Sequence, residues 1–587
     1  MHRLRNRTGP PARRALAAAM GAGCLLASIS SASPATAASR LKFTVTTSAD
    51  AHDAHPGDGR CADKAGRCTL RAAIEEADAA PAHSAVSIFV PAGYYRLRLG
   101  TLTVGASSPG PGNIVIDGAG PGRTVISGGR AFRVMTVRAS ATAGLDAVQI
   151  TEGHVGPDVY GGGVYNSGRL TIAGSAIDDN VAGAGGGVDN AGGSLVVTGS
   201  SIEHNSGGGW GGGGIQNGGP RNVAGSVLVV SSTITGNSTF ANWGGGIFNG
   251  QNGHPALPGA PAVRPRVCAY GHCTGQLPPY APRLVLTVED SDVSGNTGGD
   301  GAGGIASDGG ATVVGSVIDN NSGGRAPDGG LLGVGTISGS TISGNTAYEG
   351  AAIGDFSGAF GRMTITDSTI VGNHAATSAG VLTVGGPDFI TGSTIADNTA
   401  GSKGLPGSAA VAMIQGGGTL HLSNSTVAGN TTTPAGGGAI VNPANSGGVV
   451  YLSFDTLQNN ASGNIAGQNP IYATGTILAT NGAEPDCQAR LFKSNGYNLA
   501  TDRSCGLSRP TDLSGVNPKL GPLASNGGPT STEALLTGSP AINAGGLPAT
   551  SGCPLTDQRG MSRPWGLACD IGAYEAHYRL PGPAVPE

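Results

Sequence analysis

The sequence predicts an all-β fold, a right-handed parallel β-helix, from two repeated patterns. The first pattern is S-x-I-x-x-N, with Ile, Val or Leu in the third place, and ten copies follow one another at steps of 24 to 32 residues apart from one step of 59. The second is G-G-G-V/I-x-N, with four copies between Gly161 and Asn249. Periods of this length are typical of solenoids, and neither pattern has the 3.6-residue periodicity of a helix.

Short alternating runs precede the asparagine of the first pattern. In the run from Leu170 to Ile172, for example, apolar residues flank a threonine. Runs of this kind, bounded by Gly and Asn, predict half-buried strands. We therefore expect one coil per repeat, with about three short strands in each coil and coils stacked at about 4.8 Å.

The final asparagine of the first pattern is predicted to form a ladder through the stack. An asparagine tolerates the left-handed backbone of a tight bend and hydrogen-bonds locally. Triple glycine allows a sharp turn where a side chain would clash, and the asparagine after it predicts a second ladder. The residues of the first ladder are Asn180, Asn205, Asn237, Asn296, Asn321, Asn345, Asn373, Asn398, Asn430 and Asn460.

The chain begins with the features of a secretory signal peptide. Arginines precede an apolar run from Ala15 to Ile29, and an A-x-A site ends at Ala37. The predicted parts are a signal peptide (1–38), an N-terminal cap (39–85), β-helix repeats (86–480) with an insertion at about 250–283, and a C-terminal module (481–587). No later stretch is long enough to span a membrane.

Removal of the signal peptide leaves eight cysteines, an even number that predicts disulfides in an exported chain. Their positions favour four local bridges, although the spacing leaves other pairings open. The favoured pairs are Cys61 with Cys68, Cys268 with Cys273, Cys487 with Cys505, and Cys553 with Cys569.

An amphipathic helix is predicted from Cys68 to Ala77, with Thr69 as its N-cap. A helix at this place would cover the apolar end that a β-helix exposes. The C-T-L-R-A-A-I run at 68–74 resembles the CSLREA-type N-terminal domain of bacterial surface-exposed β-helix proteins, whose repeats resemble polymorphic outer membrane proteins.

Motifs near the C-terminus are similar to the choice-of-anchor Q domain that ends many such proteins. They are N-P-K-L-G-P-L-A-S-N-G-G-P-T (517–530), G-S-P-A-I-N-A-G (538–545), D-Q-R-G (557–560) and C-D-I-G-A-Y-E (569–575). The resemblance implies a secreted, cell-surface-associated or released protein. It says little about activity, because the family is defined by its layout.

Parallel β-helices include polysaccharide lyases and hydrolases, and each of these enzymes requires particular catalytic residues. A lyase needs carboxylates that hold calcium beside a basic residue, whereas basic residues are few in the repeats and share no offset. Alignment on the asparagine ladder places Asp178 above Glu203 and Asp179 above His204. Two carboxyl groups about 5 Å apart could serve a retaining glycosidase; a solvated turn is the alternative interpretation. No metal site or cofactor is predicted, although an acidic patch of this kind could bind calcium.

Tyr160, Trp210 and Trp243 stand just before triple-glycine turns, so they are candidates for a ligand-binding aromatic surface. The alternative is that they cover loops of their own coils. The net charge of -4 and the lack of a basic cluster after the leader predict no nucleic-acid binding.

The sequence thus favours a monomeric extracellular scaffold with adhesin-like binding of a glycan or a surface protein. One alternative is a pectate-lyase-like or polygalacturonase-like enzyme that acts on acidic polysaccharide. A purely structural envelope protein is the third interpretation.

Overall fold

The chain coils into three long parallel sheets, as seen in a computed structural model. The described residues are 40–106, 112–218, 225–241, 243–250, 267–269, 272–274, 284–308, 310–324, 329–348, 350–354, 362–376, 382–401, 409–413, 417–432, 437–480 and 484–577. The predicted signal peptide and the side chains of Cys268 and Cys273 lie outside the described part of the chain.

Sheet 1 has 16 parallel strands within the described residues. They are Arg40–Thr44, Ala85–Phe89, Asn113–Asp117, Thr142–Asp146, Arg169–Ala173, Ser194–Thr198, Ser226–Val230, Val285–Glu289, Ala311–Val314, Thr336–Ser338, Thr364–Thr366, Pro387–Thr391, Thr419–Ser423, Val449–Ser453, Ile471–Thr474 and Phe492–Ser494.

Sheet 2 has 14 parallel strands in the same described ranges. They are Leu102–Val104, Met135–Val137, Val164–Asn166, Val188–Asn190, Ile215–Asn217, Ile247–Asn249, Ile305–Ser307, Leu331–Leu332, Ile353–Gly354, Leu382–Val384, Ala409–Met413, Gly438–Asn442, Ile465–Gly467 and Cys487–Ala489.

Sheet 3 has 16 parallel strands where the chain is described. They are Gly93–Arg96, Thr124–Ser127, Gln149–Thr151, Ala176–Asp178, Ser201–Glu203, Thr233–Thr235, Asp292–Ser294, Val317–Asp319, Thr341–Ser343, Thr369–Val371, Thr394–Ala396, Thr426–Ala428, Thr456–Gln458, Ile477–Ala479, Leu499–Ala500 and Leu513–Ser514.

Sheet 4 consists of two-residue strands that follow sheet 3 in each coil, nine of them in the described ranges. They are Val181–Ala182, Ser206–Gly207, Ser238–Thr239, Thr297–Gly298, Ser322–Gly323, Thr346–Ala347, His374–Ala375, Thr399–Ala400 and Thr431–Thr432. Two antiparallel pairs stand apart, Val267–Ala269 with His272–Thr274 and Leu520–Ala524 with Thr532–Leu535.

Strands of sheet 1 bury alternate side chains in one continuous core, whereas several strands of sheet 2, such as Val188–Asn190 and Ile215–Asn217, are buried on both faces. In Ser194–Thr198, Leu195 and Val197 point inward with 1% and 0% of their surface exposed, while their neighbours remain partly exposed. This alternation is the period-2 pattern of a strand with one buried face. The parallel pairing of successive coils confirms the predicted all-β parallel β-helix.

The asparagine ladder is continuous from Asn180 to Asn460, and Asn345 shows its bonding. Its Oδ1 accepts from the backbone N (2.9 Å) and Nδ2 (3.0 Å) of Asn321, and its Nδ2 donates to Asn373 Oδ1 (2.9 Å) and Ile318 O (2.9 Å). The amide therefore pairs buried backbone and side-chain groups of neighbouring coils.

The residue before each ladder asparagine adopts the left-handed backbone conformation. The prediction that the asparagine itself adopts this conformation is therefore wrong. Asp179, His204 and Gly344 have φ values of 53°, 54° and 61°. The asparagine is needed for its amide, and the bend is made one position earlier by residues that tolerate positive φ.

The triple glycines behave as predicted at their first and third places. Gly185 has a φ of 58°, and a Cβ added to Gly187 would lie 2.7 Å from Gly214 O. The backbones of successive coils therefore meet too closely for a side chain. A second ladder follows, in which Asn166 Nδ2 donates to Asn190 Oδ1 at 2.7 Å and Asn190 Nδ2 to Asn217 Oδ1 at 2.8 Å.

The first helix, Leu70–Asp78, has Thr69 as its N-cap, and Ala72 N donates to Thr69 Oγ1 at 3.0 Å. Ile74 is 1% exposed and belongs to the continuous core, as expected of a residue that covers the first coils. The second helix is Pro548–Ser551. Neither helix of the described part is long and apolar enough to cross a membrane.

Three of the predicted disulfides are present in the described residues. They join Cys61 to Cys68, Cys487 to Cys505, and Cys553 to Cys569.

The parallel sheets continue past residue 480, where the sequence placed the end of the repeats, as far as Leu513–Ser514. The chain beyond it packs on the outer face of sheet 3. Gln558 of the D-Q-R-G motif donates from Nε2 to Ser393 O (3.2 Å) and Thr394 Oγ1 (3.0 Å), and its Oε1 accepts from Thr426 Oγ1 (2.6 Å). This motif attaches the C-terminal module to the side of the β-helix.

Candidate functional site

Asp178 and Glu203 are directly opposed on neighbouring strands of the outer face of sheet 3. Gln149 Nε2 donates to both Asp178 carboxylate oxygens (2.9 and 3.0 Å), and Ser201 Oγ donates to Glu203 Oε1 (2.9 Å). Burial, with smaller contributions from Asp179 and Glu203, raises the pKa of Asp178. The two acids are thus held side by side in different environments.

Asp179 and His204 are placed differently from that pair. Both are exposed and form the left-handed bends before Asn180 and Asn205. The left-handed turn, which Asp and His tolerate, accounts for these two residues at these positions. Within the described residues, no three His, Cys, Asp or Glu side chains are grouped so that they could hold a metal ion.

The three aromatic residues singled out in the sequence differ in their burial and contacts. Tyr160 is only 9% exposed, and Trp210 is half-buried. Trp243 contacts Phe248 edge to face at 6.1 Å and donates from Nε1 to Asp300 O at 3.1 Å. Ligand binding by these three rings stays a prediction.

A different set of rings forms a stack on the outer face of sheet 1. We call Phe389, His421, Tyr451 and Tyr472 the ring ladder. Successive ring centroids are 4.7, 4.7 and 5.4 Å apart, and the ring planes differ by only 4° to 14°. The four residues are direct partners on adjacent strands, so the coil spacing imposes the stack. At about 4.8 Å per strand it extends over roughly 15 Å.

A cationic side chain lies at each end of the ring ladder. Arg362 Cζ is 3.8 Å from the centroid of the Phe389 ring, and Lys493 Nζ is 5.6 Å from that of the Tyr472 ring. Both are cation–π contacts. Both cations are exposed, as is Tyr451 at 38%, so the row is accessible from solvent.

The described strand positions beside the ring ladder carry no carboxylate on the same face of sheet 1. They hold hydroxyl, proline and valine side chains: Thr364, Thr366, Pro387, Thr391, Thr419, Ser423, Val449, Ser453 and Thr474. Asp388 points inward and is buried, and Asp367 lies in the turn after its strand. The surface is therefore flat, rich in hydroxyl groups and flanked by positive charge.

The electrostatics of the ring ladder favour an anion. The inner rings face one another, so they present their edges to solvent, and the edge of an aromatic ring carries partial positive charge. Burial and the neighbouring Arg362 lower the pKa of His421, which is consequently uncharged at neutral pH. Fixed positive charge then resides on Arg362 and Lys493.

Sequence reasoning missed the ring ladder, although a signal was present. Phe389, His421 and Tyr451 each stand nine residues before the ladder asparagine of their own coil. Alignment on the asparagines would have placed them in one row. The aromatic candidates of the sequence, Tyr160, Trp210 and Trp243, stand instead before the triple glycines, which precede sheet 2.

Sheet 2 holds a second feature that the sequence did not reveal, a buried carboxyl group at Asp189. Its side chain is 0% exposed, and neither oxygen has a hydrogen-bond partner in the described structure. On the adjacent strand Gln216 Oε1 also lacks a donor. Burial raises the pKa of Asp189 to about 8 against the opposing charge of Arg133, so the group is protonated at neutral pH.

Solved structures that are similar to this chain include the following three. Pectate lyase Pel9A has 12% identity, with 92% of this chain and 97% of that chain covered and a TM-score of 0.24. The mannuronan C-5 epimerase AlgE6 A-module from Azotobacter vinelandii has 14% identity, 73% and 94% coverage and a TM-score of 0.29. A PL6 family polysaccharide lyase from Pseudopedobacter saltans has 12% identity, 76% and 94% coverage and a TM-score of 0.22.

No family model and no curated protein sequence matches the chain. The parallel β-helix assignment rests on the sheets themselves.

Proposed function

We propose that this protein is a secreted, surface-associated β-helix scaffold that binds an acidic glycan along the ring ladder. The observation that carries the proposal is the row of four stacked rings with a cation at each end. Uronate carboxylates can pair with Arg362 and Lys493, and sugar hydroxyls can bond the neighbouring Thr and Ser side chains.

An extracellular location is supported by two features. Disulfides persist in oxidising compartments, and three are formed here. The leader and the resemblance of the terminal modules to CSLREA-type and choice-of-anchor domains agree with it. An adhesin-like role follows if the glycan belongs to another cell or to a matrix.

The binding proposal predicts that the Arg362→Ser and Lys493→Ser double variant loses at least 10-fold in affinity for polygalacturonate. Both residues are exposed, so the change removes charge and leaves the stacked rings in place. Calorimetry at low and high salt would measure the effect, because binding through exposed charges weakens as salt rises. Tyr451→Ala, which interrupts the row, is also expected to weaken binding.

Phe240→Ala provides a matched control for Tyr451→Ala, since Phe240 is 88% exposed and lies outside the ring ladder. A protein that binds neutral polysaccharides as tightly as polygalacturonate would contradict the proposal. So would a charge-removing double variant with unchanged affinity.

A second candidate function is hydrolysis of an acidic polysaccharide, favoured by the opposed Asp178 and Glu203. Carboxyl groups one strand apart have about the spacing of a retaining glycosidase. Asp178, with its raised pKa, would be the general acid, and Glu203 the nucleophile.

Hydrolysis at this pair predicts new reducing ends from polygalacturonate, lost in Asp178→Asn and in Glu203→Gln. Activity should fall as pH rises through the Asp178 pKa, because the carboxyl group loses the proton that a general acid must donate. The assay should run with and without calcium and include detection of unsaturated uronates, the product of a lyase. Binding without turnover, both with and without calcium, would eliminate hydrolysis and support the binding scaffold. Absence of both binding and turnover would leave the structural envelope role.

A further inference from the structure

A cleft of about 960 Å³ opens where the C-terminal module meets the last coils of the β-helix. One side consists of sheet 3 and the loops near it, which contribute Gln458, Glu484 and Asp502. The other side is formed by residues 517–520, where the first strand of the antiparallel pair (Leu520–Ala524) begins. Leu536 and Thr537, which directly follow its second strand (Thr532–Leu535), complete that side. A volume of this size is typical of small-ligand sites.

Gln458 lies at the wall of the cleft, with its side-chain amide against the carboxyl group of Glu533. When the amide is oriented with its nitrogen towards Glu533, that nitrogen is within hydrogen-bond distance of both carboxyl oxygens, one of them at 3.0 Å. Glu533 is 3% exposed, so this contact is shielded from water. In that orientation the carbonyl oxygen of Gln458, a residue of the cleft lining, lies on the side of the amide away from Glu533, where it can accept a hydrogen bond.

Asp502 is held by hydrogen bonds from two backbone groups. Its Oδ2 accepts from Asp486 N at 3.1 Å, and its Oδ1 accepts from Ser504 N at 2.8 Å. Glu484 adds a second carboxylate to the same side. Acceptors therefore dominate this wall and are positioned before any ligand arrives.

The opposite side combines one cation with apolar surface. Lys519 is the basic residue of the lining, and Leu520 and Leu536 are its leucines. Leu536 is 48% exposed, so its side chain is available for contact. Asn517 and Thr537 add polar groups to this side. A wall of acceptors that faces a side with exposed leucine surface suits a ligand with hydroxyl donors on its edge and C–H groups on its face.

We propose that this cleft binds a short neutral saccharide. Its hydroxyl groups would donate to Gln458 Oε1, Glu484 and Asp502, and its C–H face would lie against Leu520 and Leu536. The carboxylates of Glu484 and Asp502 outnumber the single cation Lys519, so the lining would disfavour an acidic sugar, which distinguishes this site from the ring ladder. The proposal is independent of glycan binding there, since it uses other residues on another face.

The test is calorimetry and saturation-transfer NMR on the full chain with cellotetraose, chitotetraose and tetragalacturonate. At least one neutral tetrasaccharide is expected to bind, and tetragalacturonate to bind this cleft at least 10-fold more weakly. Leu536→Trp, which fills the cleft with an indole, and Glu484→Ala, which removes an acceptor, should each weaken neutral-sugar binding several-fold or more. Leu555→Trp is the matched control, because Leu555 is 78% exposed, belongs to the same module and does not line the cleft.

The ring-ladder variant Tyr451→Ala separates the two sites and is expected to leave neutral-sugar binding unchanged. Loss of that binding in Tyr451→Ala would assign the sugar to the ring ladder and overturn the proposal. Failure of both neutral tetrasaccharides to bind, or unchanged affinity in both Leu536→Trp and Glu484→Ala, would also overturn it.

Discussion

Asp189→Asn is expected to stabilise the protein increasingly as pH rises from 5 to 8. In the folded state the carboxyl group has a pKa of about 8, against an ordinary value of 3.8. Between these values the folded protein holds a proton that the unfolded chain has released. The free energy of unfolding contributed by this group therefore falls with pH, by at most about 1.4 kcal/mol per unit.

The sign follows from which state binds more protons. Stability from the protonated carboxyl is fully present below the unfolded pKa, declines as pH rises, and is lost above the folded pKa, where both states are ionised. Asparagine keeps the shape of the side chain and does not titrate. The gap in unfolding free energy between variant and wild type should widen by roughly 2 to 4 kcal/mol between pH 5 and pH 8.

Urea denaturation at pH 5, 6, 7 and 8 would measure this gap. Asp179→Asn is the matched control, because Asp179 is exposed and its left-handed turn also accepts asparagine. Parallel stability profiles for wild type and Asp189→Asn would show that Asp189 is not a protonated buried acid.

Asn345→Ala is expected to lower the free energy of unfolding by about 3 kcal/mol or more. The substitution removes four hydrogen bonds and leaves the buried Asn321 N without the Asn345 Oδ1 acceptor that it has in the wild type. Each buried polar group without a partner costs about 1 to 3 kcal/mol. A methyl group cannot compensate, because the ladder joins three successive coils through this one amide.

The loss should appear as a lower urea midpoint with an unchanged slope, since the folded structure remains similarly compact. Thr346→Ala, at the next and exposed position, is expected to leave the midpoint nearly unchanged. Equal midpoints for Asn345→Ala and wild type would remove the ladder as a source of stability.

Repetition made the fold predictable from sequence. Ten copies of one pattern fix the length of a coil, and period-2 runs identify strands because alternate residues must face the core. Thr69 was recognisable as an N-cap because capping is a local property of a few residues. The serine of the first pattern has a comparable local cause: Ser200 Oγ accepts from Ser175 N at 3.1 Å in the preceding coil.

The candidate sites were less predictable, because they depend on which coils become neighbours and on what covers them. The pairing of Asp178 with Glu203 follows from the period and was foreseen. The burial of Tyr160 and of Asp189 was not, since loops of varied length determine it. The attachment of Gln558 beside Thr394 joins residues 164 positions apart, which no local pattern encodes.

The sequence by itself determined the β-helix, its two asparagine ladders, its strand-forming runs and the capped helix at its start. Each of these is specified by short-range chemistry that recurs in every coil. The tertiary structure alone decided that Phe389, His421, Tyr451 and Tyr472 stack between two cations, and that a cleft remains between the C-terminal module and sheet 3. Both depend on long-range packing, in which residues far apart in the chain are brought within a strand spacing of one another.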